Sequence, residues 1–134
     1  MKQEVLEQAV ILGRRLGRVL VATAGKNGLP HIAASSRIDP VGDDCVSISE
    51  WFCPGTLSNL QVNPKVSIVI WDPQSDTGFQ LLGRSQEVQD IAMMDGLQPS
   101  DEKTAPFPQV ERKILVKVER ILHFSHAPHN DVED

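Results

Sequence analysis

The sequence predicts a mainly β protein: a six-stranded antiparallel barrel with flanking helices. Three observations carry this. β-branched runs recur at hairpin spacing, Asn-Gly and Asp-Pro-x-Gly clusters separate them, and Gly83 interrupts the fifth run. Asn-Gly tolerates the positive φ of tight hairpins. An interior glycine marks a bulge or tight bend of the kind a closing barrel needs.

The elements follow in chain order. Residues 4–16, EVLEQAVILGRRL, place Val5, Leu6, Ala9, Val10, Leu12 and Leu16 at three-and-four spacing, which predicts an amphipathic helix. Acids lie early and Arg14 and Arg15 late, which suits the helix dipole, and Gly17 is the expected stop. Residues 19–24 read as a first strand, 25–28 as a hairpin turn and 31–38 as the returning strand. Residues 39–44 form a second turn and 45–51 a third strand. A helix of about two turns starts at Thr56 and breaks at Asn63-Pro64, before a fourth strand over 66–71. A loop over 72–78 leads to a fifth strand, 79–88, and a sixth spans 113–122. Between these last two, IAMMDGL reads as a helical turn and SDEKTAPFP as a surface loop. One domain covers 1–134: a helix to residue 17, the barrel over 18–124 and a flexible tail over 125–134.

Composition bounds the function. The 134 residues are 40% apolar and 23% charged, which suits a globular core without staples. A net charge of -5 without clustered cations argues against a nucleic-acid partner. Charges stand where a signal peptide has its apolar core, and no apolar stretch is long enough to span a bilayer. A cytoplasmic protein without a membrane partner is therefore expected. Cys45 and Cys53 match neither a Cys-x-x-Cys motif nor a disulfide framework, and read as reduced thiols. Aromatics are only 4%, so Trp51, Trp71, Phe79 and Phe124 read as core or interface bulk.

The stretch PGTLSNLQVNPKVSIVI turns into a helix and then a strand. A helix N-terminus presents unpaired N–H groups and partial positive charge, which suits an anion. Gly55 permits close approach, and Thr56 either caps the helix or donates its hydroxyl to the anion. Alternation over 31–38 sets Ile32, Ala34, Ser36 and Ile38 on one face and His31, Ala33, Ser35 and Arg37 on the other. In the third strand Cys45, Ser47, Ser49 and Trp51 oppose Val46, Ile48 and Glu50. The serine face is either solvent-facing surface or the lining of a polar, phosphate-bearing ligand, since a buried unpaired hydroxyl is costly. His31 reads as structural or surface rather than catalytic. His123, His126 and His129 sit at three-residue spacing, but Pro128 bars a regular helix and no carboxylate or cysteine joins with ligand spacing, so no metal site is expected.

Three segments in order, VLVATAGKNGLPHIA, NLQVNPKVSIVIWDP and TGFQLLGRSQEV, resemble the pyridoxamine 5'-phosphate oxidase-like FMN-binding split-barrel family. The resemblance covers residues 16–88 and extends weakly to 124. It implies a six-stranded antiparallel split barrel, a homodimer and an FMN flavoprotein site at the subunit interface. Carried over by position, the FMN-binding candidates are Ala34, Ser35 and Ser36, then Ile48, Ser49 and Glu50, then Gly55 and Thr56. Gln80, beside Thr77-Gly78-Phe79, is a further interface candidate.

Departures from the family pattern are physical. Many relatives carry Ser-Arg-Lys where this chain has Pro54-Gly55-Thr56, so two cations that would pair with phosphate are missing. Arg37 either compensates or is an exposed strand cation, and Glu50 would repel a phosphate it faced. The oxidase's C-terminal segment with its substrate-binding arginine is not visible, so pyridoxamine phosphate oxidation is not expected. No pair of residues demands a general-acid or general-base role, and catalytic residues stay unassigned. Two functions follow: a flavin-binding oxidoreductase-like protein, or a non-catalytic dimeric binding module that has lost FMN. For the first, the reaction partner is open between a nicotinamide cofactor, a quinone, a haem-derived compound and an electron-transfer protein.

Overall fold

The structure, a computed structural model, describes residues 1–51, 54–93 and 110–134. Helix α1 (Gln3–Leu16) precedes strands β1 (Val19–Ala24), β2 (Pro30–Ser35), β3 (Arg37–Val41) and β4 (Cys45–Glu50). Helix α2 (Pro54–Val62) leads to β5 (Lys65–Asp72), β6 (Thr77–Met93) and β7 (Val110–His123), and a hairpin of β8 (Ser125–His126) and β9 (His129–Asn130) follows. The main sheet is antiparallel and curled, in the order β2-β1-β5-β6-β7-β4-β3.

It has seven strands rather than six because the expected strand over 31–38 divides at Ser36. Its two halves lie at opposite edges of the sheet, so those edges meet at one residue. The break also inverts the side-chain alternation. Ser35 is buried before it and Ile38 after it, so Ile32, Ala34 and Ile38 do not share a face as simple alternation required.

Two inward rows fill the barrel. Val21, Ile68, Leu81 and Ile121 lie opposite one another across β1, β5, β6 and β7, and Ile38, Ile48 and Ile114 do so across β3, β4 and β7. All are buried. Each such side chain contributes about 1.5–3 kcal/mol of transfer free energy. α1 lays Leu6, Ala9, Val10 and Leu12 over this core and ends at Gly17, whose φ of 70° is the left-handed C-cap. Arg15 anchors the helix 3.0 Å from Asp72, and its guanidinium holds that carboxyl below the usual carboxylate range.

Gly83 sits at a register shift in β6, where an added Cβ would run into the Lys117 carbonyl oxygen. The bulge read from the sequence is present. β6 runs on to Met93, so residues 91–93 of the expected helical turn are strand, paired with β7. The rest of that turn, the SDEKTAPFP loop and Cys53 lie outside the described residues.

Residues 125–134, expected as a flexible tail, return along β7. The His123 N–H donates to the Val132 carbonyl, and the Asp134 N–H to that of Ile121. Asp76 accepts from the N–H groups of His126 and Ala127, each at 2.8 Å, and from the Trp71 indole. These bonds, led by that of Ala127, hold its carboxyl below the usual range. Trp71 meets Phe124 edge to face at 6.0 Å.

Candidate functional site

The carried-over residues separate into three places. One is the seam where β2 passes into β3 beside the end of β4. The Ser35 hydroxyl donates to the Ser49 carbonyl at 3.0 Å. The Ser36 N–H donates to one Glu50 carboxylate oxygen and the Trp51 N–H to the other, both at 2.9 Å. No ladder joins β2 to β4, so these bonds close the barrel there. Burial raises the Glu50 pKa, but the Ser36 hydroxyl and the Trp51 and Ser36 N–H groups outweigh it and hold the carboxyl below its usual range. Glu50 is thus ionised at neutral pH.

The serine face of β4 is neither solvent-facing nor an open lining. Ser47 and Ser49 are 1% and 7% exposed. They lie between Asp39 and Leu115, and between Arg37 and Lys113, in the ladder. Ile48 belongs to the core row. Arg37 is exposed, with its guanidinium 2.9 Å from Asp39.

At the mouth of α2, Pro54 occupies the first helical position, where its missing N–H costs nothing. Thr56 is fully buried, with its hydroxyl 3.5 Å from the His31 ring. A Cβ on Gly55 would lie 3.1 Å from the same ring. His31 therefore sits against the helix mouth. Asn59 ties α2 to β1 by donating to the Thr23 hydroxyl at 3.1 Å.

The third place is the outer face of β2, β1, β5, β6 and β7. One ladder row reads Ala34, Leu20, Val69, Gln80 and Leu122, and the next reads Ile32, Ala22, Ser67, Leu82 and Arg120. Leu20 is 48% and Ile32 65% exposed. Gln80 donates to the Ser67 hydroxyl at 2.8 Å. A groove of about 530 Å³ lies over the second row, with Ala22, Ala24 and Leu82 among its lining and Lys65, Arg84 and Arg120 as its cations. Ala34 and Gln80 are the carried-over residues on this face.

Sequence reasoning missed Leu20, Ile32 and the groove cations. The available signal was VLVATA: a strand whose Leu20, Ala22 and Ala24 face is as apolar as its Val19 and Val21 face must be covered on both.

FMN demands two environments. Its flat ring suits the apolar outer face and its polar edge suits Gln80. Its phosphate does not fit the seam as it stands. Arg37, the cation that could have compensated, is held by Asp39, the Ser36 N–H is taken by an ionised carboxylate, and Thr56 is covered. Among the described residues, no cluster of three or more His, Cys, Asp or Glu could hold a metal ion, and no helix is long and apolar enough to cross a membrane. His123 lies 3.4 Å from Asp134.

No family model matches the chain. An uncharacterized protein of Methanocaldococcus jannaschii, MJ0282, is 25% identical over 112 residues, covering 82% of this chain and 74% of that protein. HupZ of Group A Streptococcus superposes with a TM-score of 0.65 at 20% identity, over 94% of this chain and 97% of HupZ. A pyridoxamine 5'-phosphate oxidase-related, FMN-binding protein of Nostoc punctiforme gives 0.63 at 13% identity, over 93% and 84% of the two chains. HutZ, a heme storage protein of Vibrio cholerae, gives 0.56 at 12% identity, over 96% and 100%. These superpositions give the chain the split-barrel fold of the pyridoxamine 5'-phosphate oxidase-like FMN-binding proteins.

Proposed function

We propose that the chain is a flavin-binding, oxidoreductase-like protein that works as a homodimer, with FMN held where two copies meet. The observation that carries this reading is the outer sheet face. Leu20, Ile32 and Ala34 are exposed there, next to the seam and to Gln80. Exposed apolar surface of this kind marks an interaction site. A second copy laid on it would convert an open face into a dry cleft, and a flat aromatic ring gains most from such a cleft. FMN, when bound, supplies the electron chemistry, and the protein supplies position, exclusion of water and hydrogen bonds to the ring edge. Gln80, already oriented by Ser67, is the side chain placed to give such a bond. FMN-binding and heme storage proteins that share the fold support a planar ligand. A cytoplasmic setting is part of the same proposal.

The test is FMN titration of the purified protein, read by quenching of flavin fluorescence. Saturable binding at one flavin per chain supports the proposal. Absence of quenching at large FMN excess supports the second reading, a dimeric split-barrel module that has lost FMN. The ionised Glu50 at the seam favours that reading.

A further inference from the structure

We propose that Glu50 is a built-in occupant of an oxyanion cradle at the barrel seam, and that its displacement governs entry of a phosphate-bearing ligand. Two backbone donors converge there: the N–H groups of Ser36 and Trp51, from opposite sides of the seam. Both are directed at one carboxylate. Convergent N–H pairs of this kind bind anions, and bonds from N–H to an ionised acceptor are stronger than neutral ones. The carboxylate has taken the place that the oxygens of a phosphate would take. Its charge then opposes a second anion, weakly in water and several times more strongly where water is excluded.

The surroundings leave Glu50 as the anion of the cradle. Arg112 lies opposite it on β7 but is paired with Asp90 at 2.8 Å. On β3, Arg37 is paired with Asp39, which also lies 3.4 Å from Arg14 of α1. Lys113 lies opposite the adjacent Ser49. These cations draw anions to the rim, while the donors themselves belong to Glu50. The seam therefore has a latched state, with Glu50 on Ser36, and a ligand-bound state, with an oxyanion on the same N–H groups. A ligand enters by swinging the side chain out or by acting on its protonated form. The sign follows from the depressed pKa: the latch holds at neutral pH and releases only below the usual carboxylate range.

The proposal deepens the flavin reading by naming what controls the phosphate end, but it concerns any phosphate or sulfate group. The probes are therefore inorganic sulfate and phosphate, measured by calorimetric titration against the wild type, Glu50→Gln and Glu50→Ala. Removing the charge tightens anion binding by about tenfold or more, and Glu50→Ala, which frees both donors, exceeds Glu50→Gln. Sulfate stays a dianion down through the carboxylate range. Wild-type sulfate affinity should therefore gain on that of Glu50→Gln only as the pH falls below the usual carboxylate range, where the latch releases. Equal affinities in all three folded proteins overturn the proposal. Should the variants fail to fold, a wild-type sulfate affinity that stays flat as the pH falls through and below the carboxylate range overturns it. FMN titrations of the same proteins separate the two readings. Tighter sulfate binding without FMN binding leaves the latch standing and removes the flavin. Tight FMN binding that is indifferent to Glu50 keeps the flavin and removes the latch.

Discussion

The two halves of the outer sheet surface invert the usual rule of burial. On β4, small polar side chains are covered: Ser47 and Ser49 are almost wholly buried. On β1 and β2, large apolar side chains stand in the open at Leu20 and Ile32. Serine is ordinarily exposed and isoleucine ordinarily buried. The covered half is explained within the chain, since longer residues on β3 and β7 flank the serines and the Ser35 hydroxyl bonds to the Ser49 carbonyl. Among the described residues the open half has no such internal account. It carries the groove, and under the proposed dimer it is the face that the second copy covers.

The largest expected effect breaks the comparison at one residue type. Ile48→Ala removes a core side chain beside Ile38 and Ile114, and should cost about 3–4 kcal/mol in urea unfolding. Ile32→Ala, on the open face, should cost less than about 0.5 kcal/mol in the monomer. Equal losses would show that the two faces do not differ.

Gly83→Ala comes next. The added Cβ meets backbone at Lys117, so the bulge must shift, at a cost of about 1–3 kcal/mol. The curl that joins the two halves should suffer with it, read as a lower unfolding midpoint.

Ile32→Asp sharpens the comparison without touching the core. The fold should keep its melting temperature at low protein concentration, while self-association seen by sedimentation should fall at least about tenfold. An unchanged association constant would place the partner elsewhere.

The smallest effect is the pH dependence at the seam. The Glu50 carboxyl has its folded-state pKa below the unfolded one. Its contribution to stability is present above the unfolded pKa and is lost as pH falls through the folded value. Glu50→Gln should therefore flatten the acid limb of stability against pH. An acid limb identical to the wild type would show that the seam bonds contribute nothing.

Much of the fold was legible because its signals are local. The three-and-four spacing of Leu6, Ala9 and Val10, the Asn-Gly turn and the glycine at 83 each act through near neighbours. The break at Ser36 was not legible. Residues 31–38 alternate well enough for one strand, and only the meeting of two sheet edges forces the alternation to invert. The tail was missed for a related reason: its anchors at Asp76 and β7 are distant in sequence. For the site, the resemblance named the seam residues, and Ala34 and Gln80 fell on the open face. It could not show that Glu50 would take the Ser36 N–H, since that bond depends on how β2 bends into β3. The exposed row through Leu20 was within reach, because VLVATA is apolar on both faces.

The most direct measurement is sedimentation velocity with added FMN, followed both at the protein band and at the flavin absorption band. The account predicts a single dimeric boundary in which protein and flavin move together. A monomeric boundary, with the flavin left behind at free-ligand speed, would contradict it.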